Sequence, residues 1–259
     1  MPAGAGDPGP PPAQRTPRTT QRAPLGVPRP VGGGDGAAQT RAGRTQAHNG
    51  AMGDTIERDF PLFPLDLVAL PSEHLPLHIF EARYRTMVAE CLERDREFGI
   101  VWLSRDELKP IGCAVAIERV LERMEDGRIN ILTRGTRPFR LIERQDDLAY
   151  PAGTVEFLRD REEEPDADAA QDAGDAYAAL VREATDSEPE AERLAAMTAY
   201  DMAATVEFGL DAKQGLLELR SENARLRLLA RLLRAALKRL EFVDRAQARA
   251  RSNGKVRFG

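Results

Sequence analysis

Cysteine is scarce in this chain of 259 residues, which has only Cys91 and Cys113. The two lie far apart in the sequence, and neither has partners at the spacing of a metal site. A disulfide framework is therefore excluded, and a reducing, cytoplasmic compartment is expected. Cys91 falls on an apolar helical stripe, where a cysteine acts as a small buried hydrophobe.

Long apolar runs are also absent. No stretch approaches the roughly 18–20 apolar residues that cross a membrane, and the N-terminus lacks the apolar segment of a signal peptide. We therefore predict no membrane association. The three histidines and two cysteines form no metal-ligand motif, so neither a metal nor a cofactor is predicted.

Bulky apolar residues are sparse at the N-terminus. Residues 1–52 contain nine Pro and ten Gly, and such a segment cannot bury enough surface to offset its ordering entropy. We predict that residues 1–52 form a disordered tail, dispensable for stability. Met52 directly precedes the first structured sequence, so a start codon assigned too far upstream is an alternative explanation. Residues 246–259 are predicted to be a basic, flexible tail.

Charge is unevenly distributed along the chain. Residues 160–192 contain thirteen acidic side chains against two Arg, whereas residues 221–259 contain eleven basic against three acidic. These blocks are predicted to face each other or water. The acidic run Glu162–Glu164 with Asp166 and Asp168 suggests a cation site, but it lacks the ligand spacing of a calcium loop. A solvated linker is the preferred interpretation.

Short apolar segments separated by turn residues dominate the first half of the chain. The sequence "EDG" at 125–127 is typical of a hairpin turn. Together with one early helix, this pattern favours a small, mostly-β barrel. The predicted strands are 62–69, 75–80, 97–103, 112–124, 128–135, 138–145 and 152–160.

Helical periodicity appears once within this half and throughout the region after residue 165. The segment "EARYRTMVAECLERD" has one apolar stripe of Tyr84, Met87, Val88, Cys91 and Leu92. Further on, "EPEAERLAAMTAYDMAATVEFGL" is predicted to be one helix ending near Gly209, and Asp211 and Ser221 are predicted N-caps of two more. The stripe of the last helix contains Leu226, Leu229, Leu233, Leu237 and Leu240, broadened by Leu228, Leu232 and Ala236.

Several of these segments together resemble the N-terminal, substrate-binding domain of Lon proteases. The specific parts are "PLFPL", "LPLHIFEARY" and "DGRINILTRGTRPFRL", which occur in the order of the family over residues 60 to about 245. The resemblance implies an α+β fold, with a PUA-like, mostly-β pseudo-barrel at 53–160 and an α-helical bundle at 161–245. It also implies recognition of unfolded or damaged proteins.

Motifs for the two catalytic modules of Lon proteases are missing from these 259 residues. A phosphate-binding loop needs G-x-x-x-x-G-K-[ST], but the only Gly-Lys pair, Gly254–Lys255, is followed by Val256. None of the five serines and four lysines matches the context of the Ser–Lys peptidase dyad. We therefore expect a stand-alone, bacterial-type Lon-domain protein without catalytic residues, acting as an adaptor or regulator of proteolysis in protein quality control.

A binder of unfolded segments needs exposed apolar surface, which soluble proteins otherwise limit. We expect its partners to be unfolded or hydrophobic protein segments, together with a separate protease or chaperone. Some of the apolar residues in the resembling segments must form the core. The candidate substrate-binding residues are Phe63, Leu65, Leu77, Phe80, Tyr84 and Phe139.

Two other residues have competing interpretations. His78, near Glu81 and Arg83, suggests proton transfer or metal binding, but a structural histidine at a strand-to-helix junction is the preferred interpretation. His74 adds at most a second ligand, so a metal site is rejected. Trp102, the only tryptophan, is interpreted as a core residue, with a place in a binding groove as the alternative.

RNA binding is the main alternative function, because PUA-like barrels elsewhere bind RNA and the C-terminal segment is basic. Against it, residues 53–159 contain twenty acidic and fifteen basic side chains, and an acidic barrel repels phosphates. Nucleic acid is therefore not the expected partner. A small-ligand pocket in the barrel is a third alternative.

Overall fold

The computed structural model describes residues 55–105 and 107–253, so the predicted disordered tail at 1–52 lies outside the described residues. The strands are β1 Ile56–Leu65, β2 His74–Ile79, β3 Phe98–Ser104, β4 Glu107–Leu108, β5 Ile111–Arg123, β6 Ile129–Gln145 and β7 Ala152–Phe157. The helices are α1 Ala82–Arg94, α2 Ala167–Thr185, α3 Ala191–Ala195, α4 Ala199–Ala203, α5 Leu210–Glu218 and α6 Glu222–Asn253.

Five strands pair in a ring. The sheet runs in the order β1-β7-β6-β5-β3, and β1 pairs again with β3, in parallel, through the register Leu62↔Gly99 to Leu65↔Trp102. This pairing closes the sheet on itself. The short strands β2 and β4 lie outside the ring, on β6 and β3 respectively, so the barrel is irregular. The α+β prediction, with a mostly-β first half and a helical second half, is confirmed.

The interior of the ring is a small aromatic cluster. Phe60, Phe139 and Phe157 meet edge to face, with ring centroids 5.4–6.5 Å apart. Every strand of the ring contributes to this cluster, which contains Phe60, Leu62, Val101, Ala114, Phe139, Val155 and Phe157. The other faces of the strands pack against the helices in a second, larger core. Alternation of side chains along each strand therefore separates two cores.

The hairpin predicted at "EDG" is present between β5 and β6. Gly127 has φ +83°, a left-handed conformation that glycine adopts without strain. The two strands predicted at 128–135 and 138–145 are in fact one continuous strand, β6. Pro138 interrupts the apolar pattern without ending the strand, since β6 continues to pair with β5 at Cys113↔Pro138.

Helix α1 packs its predicted stripe against the barrel. Tyr84, Met87, Val88 and Cys91 are buried, and the ring of Tyr84 lies 4.1 Å from that of Phe63 in β1. Leu92 differs from the prediction, because it is only half-buried at the edge of the core. The helix ends at Asp95, which adopts a left-handed conformation with φ 49°.

Side-chain caps begin some, but not all, of the helices in the helical half. The single helix predicted before Gly209 is divided into α3 and α4, because Thr198 and Asp201 form a capping box that starts a new helix. The Ser221 hydroxyl accepts from the Ala224 amide at the start of α6, as predicted. Asp211 is not an N-cap but lies in the first turn of α5, after Gly209.

The first part of the stripe predicted for α6 lies in the core, with Leu226, Leu229 and Leu233 buried, whereas Leu237 and Leu240 are half-buried at its edge. The helix continues to Asn253, into the segment predicted as a flexible tail, because the run "AQARAR" consists of strong helix formers. Residues 254–259 lie outside the described part. Among the described helices, none combines the length and apolar character needed to span a membrane.

The acidic and basic blocks face each other, as one of the two predicted arrangements. Arg227 of α6 pairs with Asp166, the N-cap of α2, and Arg234 pairs with Asp172 in the second turn of α2. The acidic run before α2, predicted to be a solvated linker, is instead attached to the start of α6 through hydrogen bonds of Glu163. Glu163 accepts hydrogen bonds from the Asn223 backbone amide, at 2.9 Å, and from the Ser221 hydroxyl, at 2.8 Å, and these bonds lower the pKa of its carboxyl group.

We expect an alkaline loss of stability that depends on Tyr150. Its hydroxyl donates to Glu90 of α1 at 2.9 Å, and burial together with this carboxylate raises the pKa of Tyr150 to about 12. Because the folded-state pKa is the higher one, the stabilisation is complete below about pH 10 and is lost as the pH rises towards 12.

The Tyr150→Phe variant isolates this contribution from other groups that titrate at high pH. At pH 8 it should be less stable than the parent by about 1 kcal/mol, the net value of one hydrogen bond. Urea unfolding at intervals up to pH 11.5 should show this difference shrinking above pH 10. A difference that stays constant over the whole range would contradict the assignment.

Candidate functional site

An open groove of about 550 Å³ lies on the surface formed by β2, β5 and β6. We call it the β2 groove; it is lined by Pro76, Leu77, His78, Leu121, Glu122 and Asn130. Two large apolar side chains are exposed there. Leu121 on its wall is 47% exposed, and Phe80, which stacks on His78 with ring centroids 5.9 Å apart, is 60% exposed.

Local irregularities of the chain explain both exposed side chains. The β5–β6 register shifts between Val120 and Glu122, so Leu121 is an extra residue on β5, and such a bulge re-aims its side chain. Phe80 follows the last residue of β2 and precedes α1. It therefore belongs to a two-residue connection, where neither the sheet nor the helix covers it.

A chain of polar side chains crosses the β2 groove. The Asn130 amide nitrogen donates to Glu122 Oε2 at 2.9 Å, so its oxygen accepts from His78 Nδ1, which lies 2.6 Å away. The partner of His78 is therefore Asn130, whereas Glu81 pairs with Arg83 at 2.9 Å. This hydrogen-bond network of His78, Asn130 and Glu122 can orient a bound group, but no serine, threonine or cysteine is among the residues that line the groove.

A second histidine extends this polar surface. His74 Nε2 lies 3.2 Å from Glu118 Oε2, and the same carboxylate accepts from Arg134 at 2.9 Å. Among residues 55–105 and 107–253, no cluster of three or more His, Cys, Asp or Glu side chains is arranged to hold a metal ion.

The six candidate residues fall in three environments. Leu77 lines the β2 groove, Phe80 lies beside it against His78, and Leu65 is half-buried against the larger core. Phe63, Tyr84 and Phe139 are buried, because Phe63 and Tyr84 seal the barrel–α1 contact and Phe139 fills the ring. These three do not form accessible surface. Trp102 is buried as predicted, and its indole nitrogen donates to Asp66 at 3.1 Å.

Leu121 was not identified from the sequence. Its segment, "AIERVLERM", alternates irregularly, and a bulge in one strand becomes visible only through the register of its partner. The adjacent "EDG" turn identified the hairpin but not which of its side chains face solvent.

Comparison with known proteins identifies the fold and the family. A Lon protease from Paraburkholderia phytofirmans is 28% identical over 152 residues, which is 55% of this chain and 18% of that protease. The chain thus matches less than a fifth of the length of this relative. The crystal structure of a Lon N-terminal domain protein from Xanthomonas campestris superimposes with a TM-score of 0.52 and 25% identity, over 68% of this chain and 96% of the other.

A second solved structure has the same fold. The N-terminal domain of a Mycobacterium avium complex Lon protease gives a TM-score of 0.51 at 19% identity, over 67% of this chain and 97% of that one. The family model of the substrate-binding domain of ATP-dependent protease La (Lon) matches residues 59–235. This span contains all of the ring except the first three residues of β1, together with most of the helical half, and the chain belongs to the Lon substrate-binding domain family.

Proposed function

We propose that this chain is a non-catalytic module that binds unfolded or hydrophobic protein segments, as an adaptor or regulator of proteolysis. The observation that supports this most directly is the β2 groove, with Leu121 in its wall 47% exposed and Phe80 beside it, against His78, 60% exposed. Solvent-exposed aromatic and aliphatic side chains beside a concave surface are typical of sites that bind other proteins.

The groove suits binding better than catalysis. Its polar chain of His78, Asn130 and Glu122 offers hydrogen bonds that orient a ligand, while its lining provides no nucleophile beside a base. Full burial of a large apolar side chain contributes about 1.5–3 kcal/mol, so covering the exposed parts of Phe80 and Leu121 would contribute to a weak, reversible complex alongside other contacts.

The α6 helix supports a protein partner over RNA. Its Arg227 and Arg234 are paired with Asp166 and Asp172, so part of the basic charge is neutralised within the fold. Phosphate binding depends on basic side chains that are available to release counterions. We infer that bound segments are passed to a separate protease or chaperone in cytoplasmic quality control.

The Phe80→Ser and Leu121→Ser variants test the site. The unfolded protein to be bound, called the client below, is fluorescently labelled, reduced and carboxymethylated α-lactalbumin, which cannot refold. Each variant should bind about tenfold more weakly than the parent, since roughly 1.4 kcal/mol of apolar burial is lost. Their melting temperatures should hardly change, because both side chains are exposed in the unbound protein.

Ile142→Ser is the matched control, because Ile142 is 53% exposed on β6 but lies twelve residues along the strand from Asn130, the β6 residue that lines the β2 groove. It should bind the client like the parent protein. Equal weakening by all three substitutions would indicate nonspecific adhesion rather than a site. Unchanged binding by Phe80→Ser and Leu121→Ser would place any client site elsewhere.

A further inference from the structure

We propose that the outer edge of β2 binds the backbone of an extended polypeptide segment, which adds to the sheet there as one more strand. This inference rests on the proposed function and specifies how the client is held. In the part of the chain that the structure describes, β2 pairs with β6 on one side and with no strand on the other. Its exposed residues His74, Pro76 and His78 alternate along this strand.

The backbone direction of each β2 residue follows from two hydrogen bonds and the register. The Gly135 amide donates to the Glu73 carbonyl at 2.9 Å, and the Thr133 hydroxyl donates to the Leu75 carbonyl at 3.0 Å. Odd-numbered residues of this strand therefore direct their backbone groups towards β6. Because bonded and non-bonded pairs alternate in an antiparallel ladder, the even-numbered residues direct theirs to the free edge.

The free edge consequently presents a defined set of hydrogen-bonding groups. His74 and His78 each offer an amide N–H and a carbonyl, whereas Pro76 offers a carbonyl alone. An antiparallel segment paired with this edge would form five backbone hydrogen bonds, three donated by the segment and two by β2. The missing donor at Pro76 weakens the edge, as in sheets that avoid uncontrolled pairing.

Apolar side chains flank the edge on both faces of the sheet. Phe80 and the β2 groove lie on the face of His78. On the opposite face, Leu75 lines a crevice of about 390 Å³ between the β1–β2 connection and the α4–α5 region. The apolar walls of this crevice also include Leu67, Val206, Phe208 and Leu210.

The occupant that fits this surface is an extended, mostly apolar segment of an unfolded protein. Its alternate side chains would lie beside the β2 groove and beside the crevice, while its backbone bonds to β2. Backbone bonding selects for extended conformation rather than for one sequence, which suits a module that binds many unfolded clients. A proline at any of the three donating positions of the segment would remove a bond.

The test compares His78→Pro with His78→Ala, using the same labelled α-lactalbumin. Both variants lose the imidazole, but only proline removes the amide donor at the edge. Since this N–H does not bond to β6, proline there leaves the internal ladder intact. We expect His78→Pro to bind about 2- to 10-fold more weakly than His78→Ala, the effect of one hydrogen bond.

Pro76→Ala should act in the opposite direction. It restores a donor at the centre of the edge, so the client should bind about 2- to 10-fold more tightly. Amide hydrogen exchange provides an independent readout for the parent protein. Excess client should slow the exchange of the His74 and His78 amides, whereas the Leu75 and Leu77 amides, which already face β6, serve as internal references.

The outcomes separate this inference from the proposed function. Strand addition is wrong if His78→Pro and His78→Ala bind the client with equal affinity, Pro76→Ala binds it like the parent, and the edge amides stay unprotected. In that case, a loss of binding in Phe80→Ser would still support the groove. If Phe80→Ser also binds normally, both proposals fail at this surface. Protection of His74 and His78 that appears without client and increases with protein concentration would instead assign the edge to a second copy of the chain.

Discussion

Replacing Arg225 with Ala is expected to destabilise the protein by roughly 3–5 kcal/mol, as for other buried ion pairs that lose one partner. Arg225 is only 2% exposed, although it is charged. Its guanidinium bonds to both carboxylate oxygens of Asp160 and to Glu222. It also donates to the Leu219 carbonyl at 2.8 Å and lies over the Tyr200 ring, 4.4 Å from its centroid.

These contacts join the end of the barrel to three parts of the helical half. Asp160 follows β7, Leu219 ends α5, and Tyr200 belongs to α4. Removal of the guanidinium leaves two carboxylates close together without their shared partner. Asp160 is 43% exposed, so water recovers part of the loss, and we expect the lower end of the range, about 3 kcal/mol.

Urea unfolding of Arg225→Ala, Arg225→Lys and Asp160→Asn tests this role. Lysine keeps the charge but cannot reproduce the planar, forked geometry, so Arg225→Lys should also be clearly destabilised. Asp160→Asn leaves the Arg225–Glu222 contact in place and should have the smallest effect of the three. A loss of less than about 1 kcal/mol for Arg225→Ala, the range of a surface pair, would contradict a structural role.

Local patterns in the sequence predicted the elements that depend on neighbours within a few positions. The α1 stripe, the leucine stripe of α6 and the Ser221 cap all follow from spacings of three or four residues. The "EDG" turn likewise identified the β5–β6 hairpin, because Gly127 meets its conformational requirement. The family resemblance then predicted the order of these elements and the α+β fold.

Features that depend on distant residues were not predictable in this way. Pro138 suggested a break, yet β6 is continuous because its partners β5 and β7 supply hydrogen bonds along its length. Arg225 was part of a basic block in the sequence, and its partner Asp160 lies 65 positions away. Nothing in the local pattern distinguishes this buried arginine from its exposed neighbours.

The candidate site shows the same limit. Apolar residues of the resembling segments were correctly taken as a mixture of core and surface, but strand alternation alone does not reveal which face is covered. Phe63 is covered because α1 packs on that side of β1, and Phe80 is exposed because it lies between two elements. Leu121 depends on a bulge, and the free edge of β2 depends on which strands pair.

Phe139, one of the residues considered for substrate binding, should instead prove essential for folding. It is 0% exposed and forms edge-to-face pairs with Phe60 and Phe157 inside the ring. Phe139→Ala should therefore cost roughly 3–5 kcal/mol, as large-to-small changes of buried aromatics do. Client binding should be retained by whatever fraction of the variant stays folded.

A double-mutant cycle with Gly99 tests whether Phe139 acts through packing in the ring. A Cβ on Gly99 would lie 2.5 Å from Phe139 Cζ, so Gly99→Ala alone should cost about 1–3 kcal/mol by overpacking. The smaller, more flexible side chain of Phe139→Leu makes room for this methyl group. Urea unfolding should then show the double variant to be more stable than the sum of the two single effects predicts, by at least about 0.5 kcal/mol. Additive losses of stability would mean that the ring does not press Phe139 against Gly99. A Phe139→Ala protein that folds normally but fails to bind the client would instead assign Phe139 to the binding site.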